Sequence, residues 1–298
     1  MRMISKAPTV EADAIILDLE DAVPFPDKET GRLLVKDSLK FAKSGGSPVY
    51  VRTNGVPTGL LADDLDSVVQ KGLDGIVLPK CQSKNDIHQL ERMLKKLETK
   101  RRIKPRSIGI LCTIETAKGV QNAWEIATAS KRIFAIGFGA GDYSIDMGAS
   151  PYKLSVAQGE SEIIYPRSVI AVAARAAGIK AIDTVFFGLL TDKDGFVKEC
   201  TVARRLGFHG KFLIHPNQVE AANRLFCPSP EDVEYAKRVK QVFGDSEAKG
   251  TAGAATLDGR LIDYATYTMA EHILETAQAI AEREKFRKSQ PSLPIIPI

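Results

Sequence analysis

The chain has 298 residues, of which 44% are hydrophobic and 26% are charged, a composition typical of a globular protein with room for one α/β barrel and an extension. Its formal net charge is only +4, and the basic residues are spread along the chain, which argues against a nucleic-acid partner. With no apolar run of about 18 residues, no secretory signal and no C-x-x-C pair among the cysteines, we expect a cytoplasmic protein without a membrane partner, disulfide framework or zinc site.

Short apolar runs alternate along the chain with longer segments of helical period, which is typical of repeated βα units around a parallel sheet. The predicted strands span 14–19, 48–53, 75–79, 108–114, 132–138, 181–187 and 211–215. A closed barrel of this type has eight strands, one more than we find. The predicted fold class is therefore α/β, a (β/α)₈ TIM barrel that is one strand short in this chain, with a C-terminal helical extension.

The pattern changes after about residue 225. The segment 229–232 (SPED) places a cap, a proline and two acids in the order that starts a helix, and a second helix is predicted from near Tyr264. A Gly/Ala-rich stretch at 249–255 separates the two helices. The predicted domains are a barrel catalytic domain over 1–225 and a helical extension over 226–298.

Polar and acidic residues recur at the carboxyl ends of the predicted strands, where active sites of parallel α/β folds lie. These residues are Asp18, Glu20, Asp21, Arg52, Asn54, Lys80, Glu115, Thr116, Asp142, Asp183 and His215. Several carboxylates at one mouth repel one another unless a cation lies between them. Because the donors are oxygens and histidines are few, the expected cation is Mg²⁺, with Mn²⁺ as an alternative.

The glycine-rich segment 137–142 (GFGAGD) ends in one of these acids. Its spacing does not fit the G-x-G-x-x-G fingerprint of dinucleotide-binding proteins. We interpret it as a loop in which the backbone N–H groups of Gly139, Ala140 and Gly141 bind a substrate carboxylate beside Asp142. We also expect Lys80 to contact the substrate.

Each of the main candidates also has a structural interpretation. Glu115 could be an acid that stabilises a helix N-terminus, and Asp142 could be a turn residue. Arg52 could form a structural ion pair with the acids of the first strand end, which would then be no more than its partners. Lys80 could be a solvated loop charge, and His215 could be a structural group at a strand end.

Six segments, in the same order over nearly the whole chain, resemble the citrate lyase beta-subunit family, which includes malyl-CoA and citramalyl-CoA lyases and their malate-synthase-like or thioesterase relatives. They are ILDLEDAV (16–23), VRTN (51–54), VLPK (77–80), IETAKGV (114–120), FGAGDY (138–143) and GFHGKFLIHPNQV (207–219). The segment FCPSPEDV (226–233) resembles the C-terminal extension of the family.

The resemblance implies a barrel that binds Mg²⁺ through Glu115 and Asp142, with Arg52 contacting the carbonyl or thioester oxygen of the substrate. The acids Asp18, Glu20 and Asp21 would then lie behind the metal ligands. In family members an aspartate of the extension acts across a subunit boundary, and Asp263 in GRLIDY matches it, with a helix cap as its structural alternative. The resemblance also implies assembly as a homotrimer or hexamer.

Relatives begin with an additional strand and a VPG-type loop that helps to form the CoA site, and this sequence starts just beyond them. Either its start lies downstream of the natural one, or the barrel is open at that seam. The second alternative would put CoA binding in doubt.

The function that the resemblance implies is a reversible Mg²⁺-dependent carbon–carbon lyase reaction. A 3-hydroxyacyl-CoA thioester of the citryl-CoA or malyl-CoA type would be cleaved to, or formed from, an acyl-CoA and a small 2-keto acid. One alternative is malate-synthase or malyl-CoA thioesterase activity at the same site. Another is a noncatalytic beta subunit of a citrate lyase complex, with the acyl group held on an acyl carrier protein.

Overall fold

The computed structural model describes residues 3–149, 161–248 and 255–289. The chain divides into two compact units, Met1–Ala222 and Asn223–Ile298. Throughout these described ranges, no helix has both the length and the hydropathy that crossing a bilayer requires.

The first unit is built on a sheet in which each strand pairs in parallel with the next strand along the chain. The strands are β1 Ile15–Asp18, β2 Val49–Arg52, β3 Gly75–Leu78, β4 Gly109–Ile114, β5 Ile133–Phe138, β6 Lys180–Asp183 and β7 Gly210–Lys211. The α/β class and the parallel sheet are confirmed. Over the described residues β1 and β7 are the two edges, so the sheet is a curled half-barrel and the predicted closure is not seen.

The seventh strand is shorter than predicted, since only Gly210–Lys211 pairs where we expected 211–215. The backbone N–H groups of Ile214 and His215 donate to Oε1 of Gln218, at 3.1 and 3.3 Å, instead of to a neighbouring strand. The chain therefore turns into a short 3₁₀ helix at Pro216–Gln218 as soon as β7 ends.

The helices lie between the strands and in the second unit. They are α1 Lys28–Lys43, α2 Leu61–Val68, α3 Lys84–Lys100, α4 Ala117–Gln121, α5 Ala123–Ala127, α6 Ala140–Asp146, α7 Ser161–Ala177, α8 Lys193–Arg205, α9 Val219–Phe226, α10 Pro230–Ala248 and α11 Tyr264–Ser289. Helix α3 begins with a capping box between Ser83 and Asp86, and Ile87, Leu90 and Leu94 of its apolar stripe are fully buried.

The interior of the curled sheet is filled by apolar side chains from alternate positions of its strands. Buried Val77, Leu111 and Ala135 pack against Tyr50 and Phe134, whose rings stack with centroids 5.1 Å apart. This packing fills the sheet interior, so chemistry is left to the strand ends and the loops that follow them.

A buried ion pair joins the end of α3 to the start of β5. The guanidinium of Arg132 donates to both carboxylate oxygens of Glu98, at 2.8 and 2.6 Å, and the side chains are only 3% and 2% exposed. Backbone N–H groups of Arg106 and Ile108 donate to the same carboxylate.

Replacing Arg132 by methionine is expected to lower the free energy of unfolding by about 3–5 kcal/mol, because it leaves Glu98 buried without its cation. Urea denaturation followed by circular dichroism measures the change. The matched control is Lys84→Met, which breaks a pair with Glu125 that is about half exposed and should cost about 1 kcal/mol or less. Equal losses in the two variants would contradict the prediction.

The second unit has its own core, formed where α10 and α11 pack with a short antiparallel hairpin. Both predicted helix starts are confirmed, at Pro230 and at Tyr264. The hairpin pairs Ala255–Leu257 with Arg260–Ile262 and was not predicted. Its turn is Asp258-Gly259, with φ of 50° and 75°, so the Asp-Gly hairpin signal was present in the sequence. Residues 249–254 of the predicted Gly/Ala-rich separator lie outside the described residues.

Candidate metal and substrate site

Charged side chains from consecutive strand ends meet at the carboxyl edge of the sheet. Asp18 ends β1, Arg52 ends β2, Lys80 follows β3, and Glu115 follows β4. Asp142 lies in the first turn of α6, directly after β5. The Lys80 ammonium lies 2.8 Å from Oε1 of Glu20 and 3.6 Å from Oδ2 of Asp142, so the structure brings the first, third and fifth strand ends together.

Glu115 is the most buried acid at this edge, with 4% of its surface exposed. Its Oε1 accepts hydrogen bonds from the Thr113 hydroxyl and, at 3.3 Å, from the Lys80 backbone N–H. Burial, with further contributions from Asp142 and Glu20, raises the pKa of Glu115 to about 8. The carboxyl group therefore keeps its proton at neutral pH unless a cation takes the place of that proton.

Glu115 and Asp142 are close enough for their carboxyl groups to hydrogen-bond to each other. Gly139 permits this approach, because a Cβ atom at that position would lie 2.6 Å from Cγ of Glu115. Any residue with a side chain at position 139 would therefore displace the Glu115 side chain.

The predicted glycine loop is partly wrong, because Ala140–Asp146 forms helix α6. The N–H of Ala140 is used inside the protein, donating to Oγ1 of Thr184 at 3.0 Å. The reason is local: Tyr143 N–H bonds back to Gly139 O and closes the first helical turn. Gly141 lies in that same turn, beside the ring of Phe187.

Arg52 is held by the acids that follow β1. Its guanidinium donates to both oxygens of Asp18, at 2.7 and 2.5 Å, and lies 3.1 Å from Oε2 of Glu20 and 3.9 Å from Oδ2 of Asp21. Burial raises the pKa of Asp18, but the hydrogen bonds and charge of Arg52 and two backbone N–H groups outweigh it and lower the pKa. The ion pair that we gave as a structural alternative is thus present, and it fixes the direction of the guanidinium.

The segment carrying these acids is anchored by Lys28, which the sequence reasoning missed, and by Asn54, one of the predicted strand-end residues; Asp64, which was also missed, bonds to Asn54. The Lys28 ammonium donates to the carbonyl oxygens of Leu19 and Glu20, at 2.6 and 2.7 Å. Nδ2 of Asn54 donates to Leu19 O and, at 2.7 Å, to the fully buried carboxylate of Asp64. Lysine and aspartate on helices carry no motif that would mark such contacts in advance.

The residues present fit a hard divalent cation. The carboxylates at this edge outnumber the cations Arg52 and Lys80, which leaves an excess of negative charge. Across the described ranges, no three His, Cys, Asp or Glu side chains are grouped so that they alone could hold a metal. A pair such as Glu115 and Asp142 fits Mg²⁺, which takes one or two carboxylates and fills its remaining positions with water and substrate oxygens.

Two of the strand-end candidates are not part of this cluster of charges. Asp183 bonds to Arg167 at 3.0 and 2.9 Å and to Lys211 at 2.9 Å, with all three side chains fully buried. Its neighbour Ile182 packs in the sheet interior, so alternation along β6 turns Asp183 to the other face. His215 caps the following 3₁₀ helix, with Nδ1 accepting from Asn217 N–H at 3.1 Å.

Asp263 lies in the second unit, directly before α11. Its Oδ1 accepts from the backbone N–H of Thr266 at 2.8 Å and from the hydroxyl of Thr266 at 2.7 Å. These hydrogen bonds lower the pKa of Asp263, so its carboxylate is ionised at neutral pH. The helix-cap interpretation is therefore seen, and an ionised cap remains able to accept a proton.

Comparison with known proteins identifies a family and several relatives of this chain. The HpcH/HpaI aldolase/citrate lyase family matches residues 1–216. The chain is 36% identical to citrate lyase subunit beta of Leuconostoc mesenteroides subsp. cremoris, over 93% of this chain and 89% of that protein. It is 34% identical to the (3S)-malyl-CoA thioesterase of Cereibacter sphaeroides, over 94% of this chain and 92% of that protein.

A solved structure is also similar to this chain. The protein CitE from Mycobacterium tuberculosis, in complex with magnesium, acetoacetate and coenzyme A, superposes with a TM-score of 0.71 at 27% identity, covering 92% of this chain and 95% of that one. The chain therefore belongs to the HpcH/HpaI aldolase/citrate lyase family, and this membership indicates a lyase enzyme.

Proposed function

We propose that this chain is a Mg²⁺-dependent carbon–carbon lyase that cleaves or forms a 3-hydroxyacyl-CoA thioester of the citryl-CoA or malyl-CoA type. The products of cleavage are an acyl-CoA and a 2-keto acid. The observation that carries the proposal is the Glu115–Asp142 carboxyl pair, which Lys80 contacts through its backbone N–H and its ammonium at the carboxyl edge of the sheet. The magnesium, acetoacetate and coenzyme A bound by the CitE protein are the kinds of ligand that this arrangement suits.

Glu115 and Asp142 would hold the metal, which supplies a Lewis acid for the keto-acid oxygens. In cleavage the 3-hydroxyl would give its proton to solvent, the carbon–carbon bond would break to leave the carbonyl of the keto acid, and the electron pair of that bond would move to the thioester as an enolate. Arg52 would stabilise the negative charge on the enolate oxygen, because Asp18 holds its guanidinium in a fixed direction before the charge develops.

The enolate carbon then needs a proton, and the reverse reaction must remove one. We assign this proton transfer to Asp263 of a neighbouring copy of the chain. This assignment requires a homotrimer or hexamer, in which the curled sheet is part of a TIM-type barrel. Asp263 is ionised at neutral pH, which is the protonation state that the base direction requires. Gly139 and Gly141, with Lys80, would line the space for the keto acid, whereas the amides of Gly139 and Ala140 are already paired within the protein, with Ile114 O and with Oγ1 of Thr184.

The test is an assay of the purified protein with Mg²⁺ and a panel of citryl-, malyl- and citramalyl-CoA. Lyase activity releases a keto acid, which a dehydrogenase couple detects, and leaves the thioester of the second product intact. The same reactions with EDTA are the control. Absence of turnover with every thioester in the presence of Mg²⁺ would overturn the proposal.

Thioester hydrolysis is a second candidate, favoured by the 34% identity to a malyl-CoA thioesterase. Release of free CoA thiol without a keto acid would identify it in the same assay. The similarity to a citrate lyase subunit favours a third candidate function, in which the chain acts on an acyl group carried by a protein and not by CoA. Activity only with an acylated carrier protein, and none with CoA esters, would identify that case.

Metal affinity is expected to depend on pH through Glu115. A metal ligand must be ionised, and the pKa of Glu115 is raised to about 8, so protons compete with the metal below that pH. We expect the affinity for Mn²⁺ to reach a plateau above pH 8 and to fall by about tenfold per unit below it. Electron paramagnetic resonance of free Mn²⁺ between pH 6 and pH 9 measures this. A constant affinity over that range would contradict the assignment.

A further inference from the structure

Lys80 has an unusual backbone conformation for a residue with a long side chain. Its φ of 53° lies in the left-handed region, which costs free energy for any residue other than glycine. The next residue fixes this geometry, because the N–H of Cys81 donates to Thr113 O on the neighbouring strand at 3.0 Å. The side chain of Lys80 therefore starts from a rigid point at the end of β3.

From this position Lys80 contacts both of the acids to which we assign the metal. Its backbone N–H lies 3.3 Å from Oε1 of Glu115, and its ammonium lies 3.6 Å from Oδ2 of Asp142 and 2.8 Å from Oε1 of Glu20. Burial lowers the pKa of Lys80, but the hydrogen bond and charge of Glu20 and the charge of Asp142 outweigh it and raise the pKa. The ammonium is therefore charged at neutral pH.

We propose that the Lys80 ammonium is an internal cation that competes with the metal ion for Asp142, and that metal binding frees it to bind the anionic substrate. The inference rests on the proposed function and adds to it the order in which the metal and the keto acid bind. While the ammonium is committed to the carboxylates of Asp142 and Glu20, the site offers an incoming anion little free positive charge. A divalent cation at Glu115 and Asp142 removes that commitment, so metal binding precedes binding of the keto acid.

The backbone and the side chain of Lys80 act on different acids, so they can be separated by mutation. Lys80→Met keeps the backbone N–H that contacts Glu115 and deletes only the ammonium. Lys80→Arg keeps the charge. Lys84→Met is the matched control, because Lys84 pairs with Glu125 at 3.1 Å on the surface of the same unit, outside the set of strand-end charges.

The first measurement is Mn²⁺ binding without substrate, by electron paramagnetic resonance at pH 8.5. We expect Lys80→Met to bind Mn²⁺ about fivefold more tightly than the wild type, because the variant lacks the ammonium that competes with the metal for Asp142. The effect is modest because that ammonium is partly exposed to solvent. Lys80→Arg and Lys84→Met should stay within about twofold of the wild type. Lys80→Gln serves as a second deletion of the charge if the methionine variant folds poorly.

The second measurement is oxaloacetate binding by calorimetry at saturating Mg²⁺. Here the expected sign is opposite: Lys80→Met should bind oxaloacetate about tenfold more weakly, because the anion loses a charged hydrogen-bond donor. A lysine with a purely structural role would weaken both affinities or neither. Unchanged or weaker Mn²⁺ binding by both charge-deletion variants overturns this inference alone, whereas a wild type that binds no Mn²⁺ overturns the proposed function.

Discussion

Replacement of Glu115 by glutamine is expected to abolish Mn²⁺ binding and to lower kcat/KM by about 10³-fold or more. The amide keeps the size of the carboxyl group but cannot supply a negative oxygen to the metal. Loss of Lewis-acid assistance removes several kcal/mol of transition-state stabilisation, and each 1.36 kcal/mol is a factor of about ten in rate. Metal binding by electron paramagnetic resonance and steady-state kinetics with the reactive thioester measure the two effects.

The same variant makes a second, independent prediction for stability. Glu115 has a folded-state pKa of about 8 against an ordinary value of 4.5, so the native state holds more protons than the unfolded state between these values. The contribution of Glu115 to wild-type stability must therefore fall as pH rises from 4.5 to 8, and Glu115→Gln removes this dependence. Its Tm should exceed that of the metal-free wild type most clearly above about pH 8.

Glu125→Gln is the control for these measurements, because Glu125 is exposed and pairs with Lys84 on the surface. Asp142→Asn should reproduce the loss of metal and of activity. Retention of Mn²⁺ affinity within twofold of the wild type by both Glu115→Gln and Asp142→Asn would exclude this acid pair as the metal site.

Replacement of Arg52 by glutamine is expected to lower kcat/KM by about 10²- to 10³-fold, mostly through kcat. The guanidinium is directed by the two hydrogen bonds that it donates to Asp18, and it would act on charge that appears only as the enolate forms. The Arg52→Lys variant should recover about tenfold at most, because an ammonium cannot make the paired contacts of the planar group.

The control for the arginine is Arg92→Gln, which changes a residue of α3 that lies outside the set of strand-end charges. Removing Arg52 also leaves Asp18 part-buried without its cation, so the pKa of Asp18 should rise. An enzyme that keeps kcat/KM within threefold of the wild type after Arg52→Gln would show that the arginine has only a structural role.

The parallel sheet could be predicted because its strands are short apolar runs separated by helices of clear period. The exact extent of β7 could not, since it depends on Gln218, whose side chain takes the N–H groups of Ile214 and His215. The hairpin of the second unit could have been found from Asp258-Gly259. The helix at 140–146 follows a run of alternating glycines, which have low helix propensity, so the sequence pattern favoured a loop there.

The position of the charges at the strand ends could also be predicted, because parallel strands end at one edge. Which of them share the edge could not be determined from the sequence. Asp183 ends its strand, as Asp18 and Arg52 end theirs. Its side chain nevertheless points to the opposite face of the sheet, where it bonds to Arg167 and Lys211. Lys28 and Asp64 act through backbone carbonyls and an amide side chain, contacts that exist only once the chain is folded.

The left-handed backbone at position 80 has a consequence for engineering. A directed-evolution experiment that rewards heat tolerance alone should drift toward glycine or asparagine there, because both residues adopt φ of about +50° to +70° more readily than lysine. Such variants would relieve the backbone strain at position 80 and lose the ammonium that pairs with Glu20 and Asp142. The residue kept at this position after selection therefore reports whether turnover was part of the screen.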